Sequence, residues 1–490
     1  MTLVKKIKLK DSKGVFEAKS TNSFLARLLF IAKSNRDIDL EEVISNYEFS
    51  VTNSVIMQSD GSIIICTNKS ELLHILEDLP SQNSYQEPEI INLDNTVLII
   101  DGMCIVNEVM SVACPKSCRD LAVVFINVLK GRSRGYSSVY LIFDNYDRSD
   151  SLKDFLRHGV SSKIPSGGAF YIEDSTPIQD SKNFLKNNDT KDALTIYLAD
   201  KTLEIDMPMA TVTRLDVKTN VDGYHPSTKV SSQPEADTLM ILHALELSSI
   251  RKNVNFLTQD TDVVVLALRR YPLLGPNTAV VIGMGEKRRT VMLKPIYESL
   301  GPMRAAALPG FHCITGCDTC GQIRGKGKKN AFKVFWKSSP SILNALADLG
   351  KEDKPSTEVL DGCEKFLCQL VRTKKYQGET AGEVRWNSFK VQSGGRSMDK
   401  MPPTSGAWHQ VILRAHLQAS AWHQDMVCNP IKLDPCDLGW YMSEGKFMPK
   451  LSELFTAPSA VVELVKCGCV KSNCSKKCSC KQNMMPCTEL

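Results

Sequence analysis

The chain has 490 residues, 42% of them hydrophobic, and a formal net charge of +5. At about 150 residues per domain, the length suggests three units with ordinary packed cores. The charge is too mild for the whole surface to attract nucleic acid, so such contact must come from local patches. No apolar run of 18 residues marks a membrane span, and the opening MTLVKKIKLK lacks the apolar core of a secretory signal. The expectation is an intracellular protein with no membrane partner.

In chain order, residues 1–92 are a mixed α/β region without an assignment. Within it 24–31 reads as helix, 62–66 as strand and 81–88 as a polar linker. From 93 the pattern sharpens. The apolar run 97–100 ends in Asp101-Gly102, and a second, 139–143, ends in Asp144. A third, 255–258, leads into Asp260-Thr261-Asp262. Continuous apolar runs bounded this way read as buried parallel strands. Ligands of open α/β sheets bind outside the carboxyl ends of the strands, so these acids should share one crevice. Further strands are expected at 278–282 and 290–293, while Gly283-Met284-Gly285 is a turn. Between the second and third runs, 145–233 is a polar insertion that could cap the crevice.

Four more features bear on the same crevice. Pro234 should open a helix, with Glu235 and Asp237 in its first turn, where the helix dipole favours negative charge. Asp318 lies in a loop just before the glycine- and lysine-rich stretch 325–329. So many acids held together repel one another unless cations neutralise them. Two divalent ions would do so and could drive phosphodiester hydrolysis. An Asp after a strand is also a common turn residue or helix N-cap, and each acid alone supports that plainer reading. From 322 to 337 six basic residues occur without an acid: Arg324, Lys326, Lys328, Lys329, Lys333 and Lys337. Gly325 and Gly327 would let backbone N–H groups approach phosphate at a helix start. The plainer reading is a solvated helix face. His312, Cys313, Cys317 and Cys320 have zinc-ligand chemistry, but around Asp318 they read as packing.

The segments VLIIDG, SVYLIFD, QPEADTLMILHAL, FLTQDTDVVVLAL and ITGCDTCGQIRGKGKKNAFKVF resemble the flap-endonuclease and excision-nuclease group of structure-specific 5′ nucleases, within the wider PIN-like fold. The resemblance covers about 95–335 and extends most closely to uncharacterised animal proteins, some linked to mobile elements, that share a basic Cys-rich end. It implies an α/β, PIN-like core at 93–345 with a central, mostly parallel sheet flanked by helices. It also implies a helix-hairpin-helix element at 315–337 that holds duplex backbone. By the same resemblance Asp101, Asp144, Glu235, Asp237, Asp260, Asp262 and Asp318 bind two Mg²⁺ or Mn²⁺ ions. Asp101, Asp144 and Asp237 are expected mainly on one ion and Asp260 and Asp262 on the other. Lys153 and Arg157 are the nearest candidates for the family's two basic catalytic residues, at altered spacing. The family's aromatic residue six positions after the first Asp is replaced by Asn107.

Residues 346–463 read as a helical region with a loop at 390–404. There Trp408, Leu413, His416, Leu417 and Trp422 recur at near-helical spacing, which indicates core. The tail, 464–490, concentrates Cys467, Cys469, Cys474, Cys478, Cys480 and Cys487 among five lysines. Thiolates so spaced hold one or two Zn²⁺ ions, and the tail resembles an incomplete CXC motif of DNA-binding regulators. The other eleven of the 17 cysteines read as buried or reduced thiols. The expected function is a metal-dependent nuclease, nuclear, acting on branched or flapped DNA. The alternative is a PIN-like nucleic-acid-binding protein without catalysis, derived from a mobile element.

Overall fold

The computed structural model describes residues 7–11, 14–18, 39–80, 93–146, 171–221, 231–391 and 398–458, apart from isolated positions within them and a few residues at 25–29. β1 (Ile7–Asp11) and β2 (Gly14–Ala18) pair as a hairpin. The central sheet contains β3 (Thr96–Asp101), β4 (Ser138–Ile142), β5 (Met209–Val212), β6 (Val217–Thr219), β7 (Asn253–Leu257), β8 (Ala279–Ile282) and β9 (Arg289–Met292). Its order is β6-β5-β4-β3-β7-β8-β9. The five inner strands run parallel, and only the edge strands β6 and β9 pair antiparallel.

Helices cover both faces of this sheet, so β3, β4 and β7 are buried almost throughout. That is why they lack polar alternation. Val97 and Ile99 pack with helices Ala236–Ser249 and Thr261–Leu274. Leu98 and Ile100, on the opposite face, pack with Gly102–Val112, Cys118–Arg132 and Asn188–Leu203. From β3 the chain proceeds outward through β4 and β5, then returns to β7 on the other side of β3. The direction of winding therefore reverses between β3 and β7, where an open α/β sheet leaves a crevice at its carboxyl edge. Register places Asp101 beside Ile142 and Ile100 beside Leu257. Asp101, Asp144 and the loop to Asp260 thus leave the sheet at one edge.

The larger core extends from Ile56 and Leu72 through Phe311 to Phe366, Trp408 and Trp422. It does not stop at residues 92 or 345. The helices Thr357–Val371, Ala381–Val391 and Ser405–His423 bear out a helical C-terminal region; of the predicted stripe Trp408, His416 and Trp422 are buried, whereas Leu413 and Leu417 are half-buried. A hairpin, β10 (Trp440–Ser443) with β11 (Lys446–Pro449), departs from it. Among the described residues no helix is long and apolar enough to cross a membrane.

Two expectations need correction. Residues 62–66 form no strand: Ile63 makes one isolated bridge with Met57, and the Ile64 carbonyl accepts from Gln322 N–H at 2.8 Å. The stretch 145–233 is also not wholly an insertion, because 188–212 supplies the crossover helix Asn188–Leu203 and the sheet strand β5. Four residues of strand between polar segments are too few to show a period.

Candidate metal centre

Three acids of the crevice begin as helix caps. Asp101 Oδ1 accepts from the N–H groups of Met103 and Cys104 at 2.9 and 3.2 Å. Asp260 Oδ1 accepts from Asp262 N–H at 3.0 Å. Asp144 caps a helix to which it does not belong: its Oδ1 accepts from Ala236 N–H at 2.6 Å, and its Oδ2 accepts from the Tyr146 hydroxyl at 2.9 Å. The helices beginning at Gly102, Ala236 and Thr261 therefore point their positive ends into one crevice. Capping and charge clustering coexist here, since a carboxylate that caps through one oxygen still carries its charge into the crevice. The helix after Pro234 starts at Ala236 with Glu235 as N-cap, so only Asp237 stands in its first turn.

Asp237, Asp260 and Asp262 each offer a carboxylate oxygen, all within 4.8 Å of one another. This grouping differs from the expected partition, in which Asp237 joins Asp101 and Asp144. Asp237 and Asp262 are buried. Burial, with the neighbouring charge of Asp144, raises the Asp101 carboxyl to about 7 despite its two backbone hydrogen bonds. Burial and Asp262 raise Asp260 to about 6, against the opposing pull of Lys69.

Lys69 is the residue that sequence reasoning missed. Its Nζ lies 2.9 and 3.0 Å from the two carboxylate oxygens of Asp260, 3.5 Å from Asp262 Oδ2 and 2.9 Å from Asp318 Oδ1. Burial works to lower its pKa, but Asp262, Asp260 and Asp318 together raise it well above the ordinary lysine value. It is charged at neutral pH. The acids of this cluster thus converge on a cation already, which fits them for a divalent ion. Asp318 joins the group through Lys69.

His312 holds the other side of Asp262, with Nε2 2.9 Å from Oδ1 in a fully buried contact, and stacks on Trp422 with centroids 5.8 Å apart. Burial and nearby Lys328 lower its pKa, so it is neutral and fixes the Asp262 carboxylate. This contact commits Nε2 to Asp262, while Nδ1 is buried without a hydrogen-bond partner. The thiols of Cys313, Cys317 and Cys320 are buried; Cys317 and Cys320 lie 3.7 and 3.8 Å from the Thr319 hydroxyl, and Cys320 donates to the Arg414 carbonyl at 3.5 Å.

The basic stretch divides in two. Lys328 is a correction: it is 1% exposed, and its Nζ donates to the His312 carbonyl and to Thr315 Oγ1, both at 2.9 Å. A cation there satisfies the carbonyl end of helix Leu293–Ile314 and cannot reach a phosphate. Burial lowers it to about 8. The start of helix Lys328–Trp336 also receives an internal anion, since Lys329 N–H donates to Glu71 Oε2 at 3.3 Å. Arg324, Lys329, Lys333 and Lys337 are exposed, and Lys326 is half-buried. Gly325 takes a positive φ of 71°, and Gly327 is the N-cap. Lys153, Arg157 and the cysteines Cys467, Cys469, Cys474, Cys478, Cys480 and Cys487 lie outside the described residues. Asn107 is exposed on the helix that follows Asp101.

Fold and site define an α/β protein with an acid cluster at the switch point of a mostly parallel sheet. No family model matches the chain, and no curated protein matches its sequence. Solved structures from bacteriophage T5 are similar to it at low scores. A T5 protein co-crystallised with metal ions and the T5 5′-exonuclease with bound divalent zinc ions are 12% and 13% identical, each with a TM-score of 0.35, covering 67% of this chain and 91% of theirs. A T5 flap endonuclease in a pseudo-enzyme–product complex with DNA and metal ions is 10% identical, with a TM-score of 0.32, covering 67% of this chain and 90% of that one.

Proposed function

We propose that this protein is a metal-dependent nuclease that hydrolyses phosphodiester bonds in branched or flapped DNA. The observation that carries the reading is the convergence of Asp237, Asp260 and Asp262 at the carboxyl edge of the sheet, beside Asp101 and Asp144. Two Mg²⁺ or Mn²⁺ ions held by the seven acids would supply the activated water and the charge that steadies the leaving oxygen. The protein's own part is to fix those acids. Backbone N–H groups hold Asp101, Asp144 and Asp260, while His312 holds Asp262. Lys153 and Arg157 are proposed to face the scissile phosphate. Zinc at the tail cysteines would organise 464–490, and its lysines would add sequence-independent affinity for DNA. A nuclear location suits that substrate.

A second reading, nucleic-acid binding without catalysis and descent from a mobile element, has one observation in its favour. Lys69 already neutralises part of the acid cluster. The deciding experiment is cleavage of labelled flap, duplex and single-stranded DNA and RNA by the purified full chain with Mg²⁺, with Mn²⁺ and with chelator. Cleavage of a structured DNA only with metal is expected. Binding without cutting on every substrate would establish the second reading.

The substrate side makes a separate prediction. Lys329 and Lys333 are exposed on the helix that follows the 315–327 turn and are proposed to meet duplex phosphates. Lys329→Glu with Lys333→Glu should weaken duplex binding equally for unrelated sequences. The slope of log affinity against log salt should fall by about two, near one for each phosphate no longer neutralised. A salt titration that leaves slope and affinity at wild-type values removes the helix-hairpin-helix reading. Lys328 is left out of this test, because its loss would disturb the fold rather than the interface.

A further inference from the structure

The short segment leading into helix Glu71–Glu77 reaches two sites with opposite charges. Lys69 places its ammonium between Asp260, Asp262 and Asp318, with four nitrogen–oxygen distances of 2.9 to 3.5 Å. Two residues on, Glu71 places its carboxylate at the start of helix Lys328–Trp336 and accepts from Lys329 N–H. One segment therefore offers a cation where a metal ion would bind and an anion at a helix N-terminus, where phosphate groups dock. Asp260 and Asp262 belong both to the trio that can hold an ion and to the set held by Lys69. A divalent ion bound through the oxygens that face Lys69 cannot share them with an ammonium at hydrogen-bond distance, because the two charges repel. The Lys69 side chain is 24% exposed, so it has a path outward.

We propose that Lys69 is an internal counter-cation that fills one of the two metal positions, so that the resting protein takes up one divalent ion readily and admits a second only when Lys69 leaves. This rests on the nuclease reading of the same acids and adds its regulation: the metal load of the site is set by a segment outside the sheet. Substrate that displaced Glu71 from the helix start would draw the same segment away and open the second position. Asp101 and Asp144, on the other side of the crevice, receive backbone and hydroxyl hydrogens rather than this ammonium.

Calorimetric titration of the full chain with Mn²⁺, for wild type, Lys69→Met and Lys69→Arg, tests this apart from activity. Wild type should bind one ion tightly and a second weakly. Lys69→Met should tighten the second by about tenfold, equivalent to about 1.4 kcal/mol, whereas Lys69→Arg should not. In wild type, acylation of Lys69 by an amine-reactive reagent, read by mass spectrometry, should rise as Mn²⁺ reaches the second step. The labelling arm stands even if Lys69→Met fails to fold. Two ions bound by wild type with Lys69 still protected would overturn the proposal, as would identical titrations of wild type and Lys69→Met. If no variant binds any divalent ion, the metal-centre reading falls with it, and that result is distinguishable from the other two.

Discussion

Asp262→Asn should abolish metal-dependent cleavage while leaving DNA binding within about twofold of wild type. Asp262 is 2% exposed and stands in the first turn of helix Thr261–Leu274. It shares the ion-holding trio with Asp237 and Asp260 and is clamped by His312 at 2.9 Å. Asparagine retains the size and an oxygen able to face His312, but removes the charge that an ion requires. The expected loss in rate is about a thousandfold, the loss of about 4 kcal/mol of transition-state stabilisation. Binding should persist because the exposed lysines of the 315–337 segment lie on a different element from this carboxylate. Asp262→Ala should be equally inactive but less stable, since it leaves a fully buried His312 nitrogen without an acceptor. Single-turnover cleavage, alongside binding in chelator, measures both halves. An Asp262→Asn protein that cuts at the wild-type rate would remove the metal centre from the mechanism.

Divalent metal should stabilise the protein, and the gain should grow with pH. Asp101 is raised to about 7 and Asp260 to about 6, both above the ordinary 3.8 of an aspartate. Between about pH 4 and 7 the folded protein therefore holds protons that the unfolded chain has released. The contribution of these two groups to stability declines as pH rises through that window and is fully lost above about 7. His312, buried and neutral, acts in the opposite sense and costs stability as pH falls below its ordinary 6.5. Comparing melting with and without metal at each pH cancels that contribution to the extent that it does not depend on metal. At pH 5 an ion must displace protons from Asp101 and Asp260, whereas at pH 8 it meets carboxylates. At a metal concentration 100 times the dissociation constant the gain is about 2.7 kcal/mol per site. Melting in Mg²⁺ or Mn²⁺ against chelator, at pH 5 and pH 8, should show the larger shift at pH 8. A shift that does not vary with pH would show that the raised acids are not metal ligands.

The sequence was sufficient where structure is written locally. β3, β4 and β7 are legible because strands buried on both faces must be continuously apolar, and an Asp that ends such a run is both a stop signal and a helix cap. Parallel strands with their acids at one end bring Asp101, Asp144 and Asp260 together with no further information. The helix carrying Asp237 was legible from its opening residues, and so was the helix of Trp408, Leu413, His416, Leu417 and Trp422 from its period, although the two leucines are only half-buried. The strand β5 was not, because four residues carry no period and only pairing with β4 identifies them.

What the tertiary structure decided is which charges meet. Lys69 lies 191 residues from Asp260, and no local pattern distinguishes it from a solvated surface lysine. Glu71 meets the start of helix Lys328–Trp336 across 258 residues. Lys328 belongs to a run that looks uniformly exposed, yet it turns inward because the carbonyl end of helix Leu293–Ile314 lies beneath it. Sequence alone thus established an α/β sheet with an acidic carboxyl edge, since backbone geometry and burial fix that pattern residue by residue. Which cation stands at that edge, and which lysines remain to meet a phosphate, depended on packing between segments far apart in the chain, because charge pairing is set by distance in space and leaves no period in the sequence.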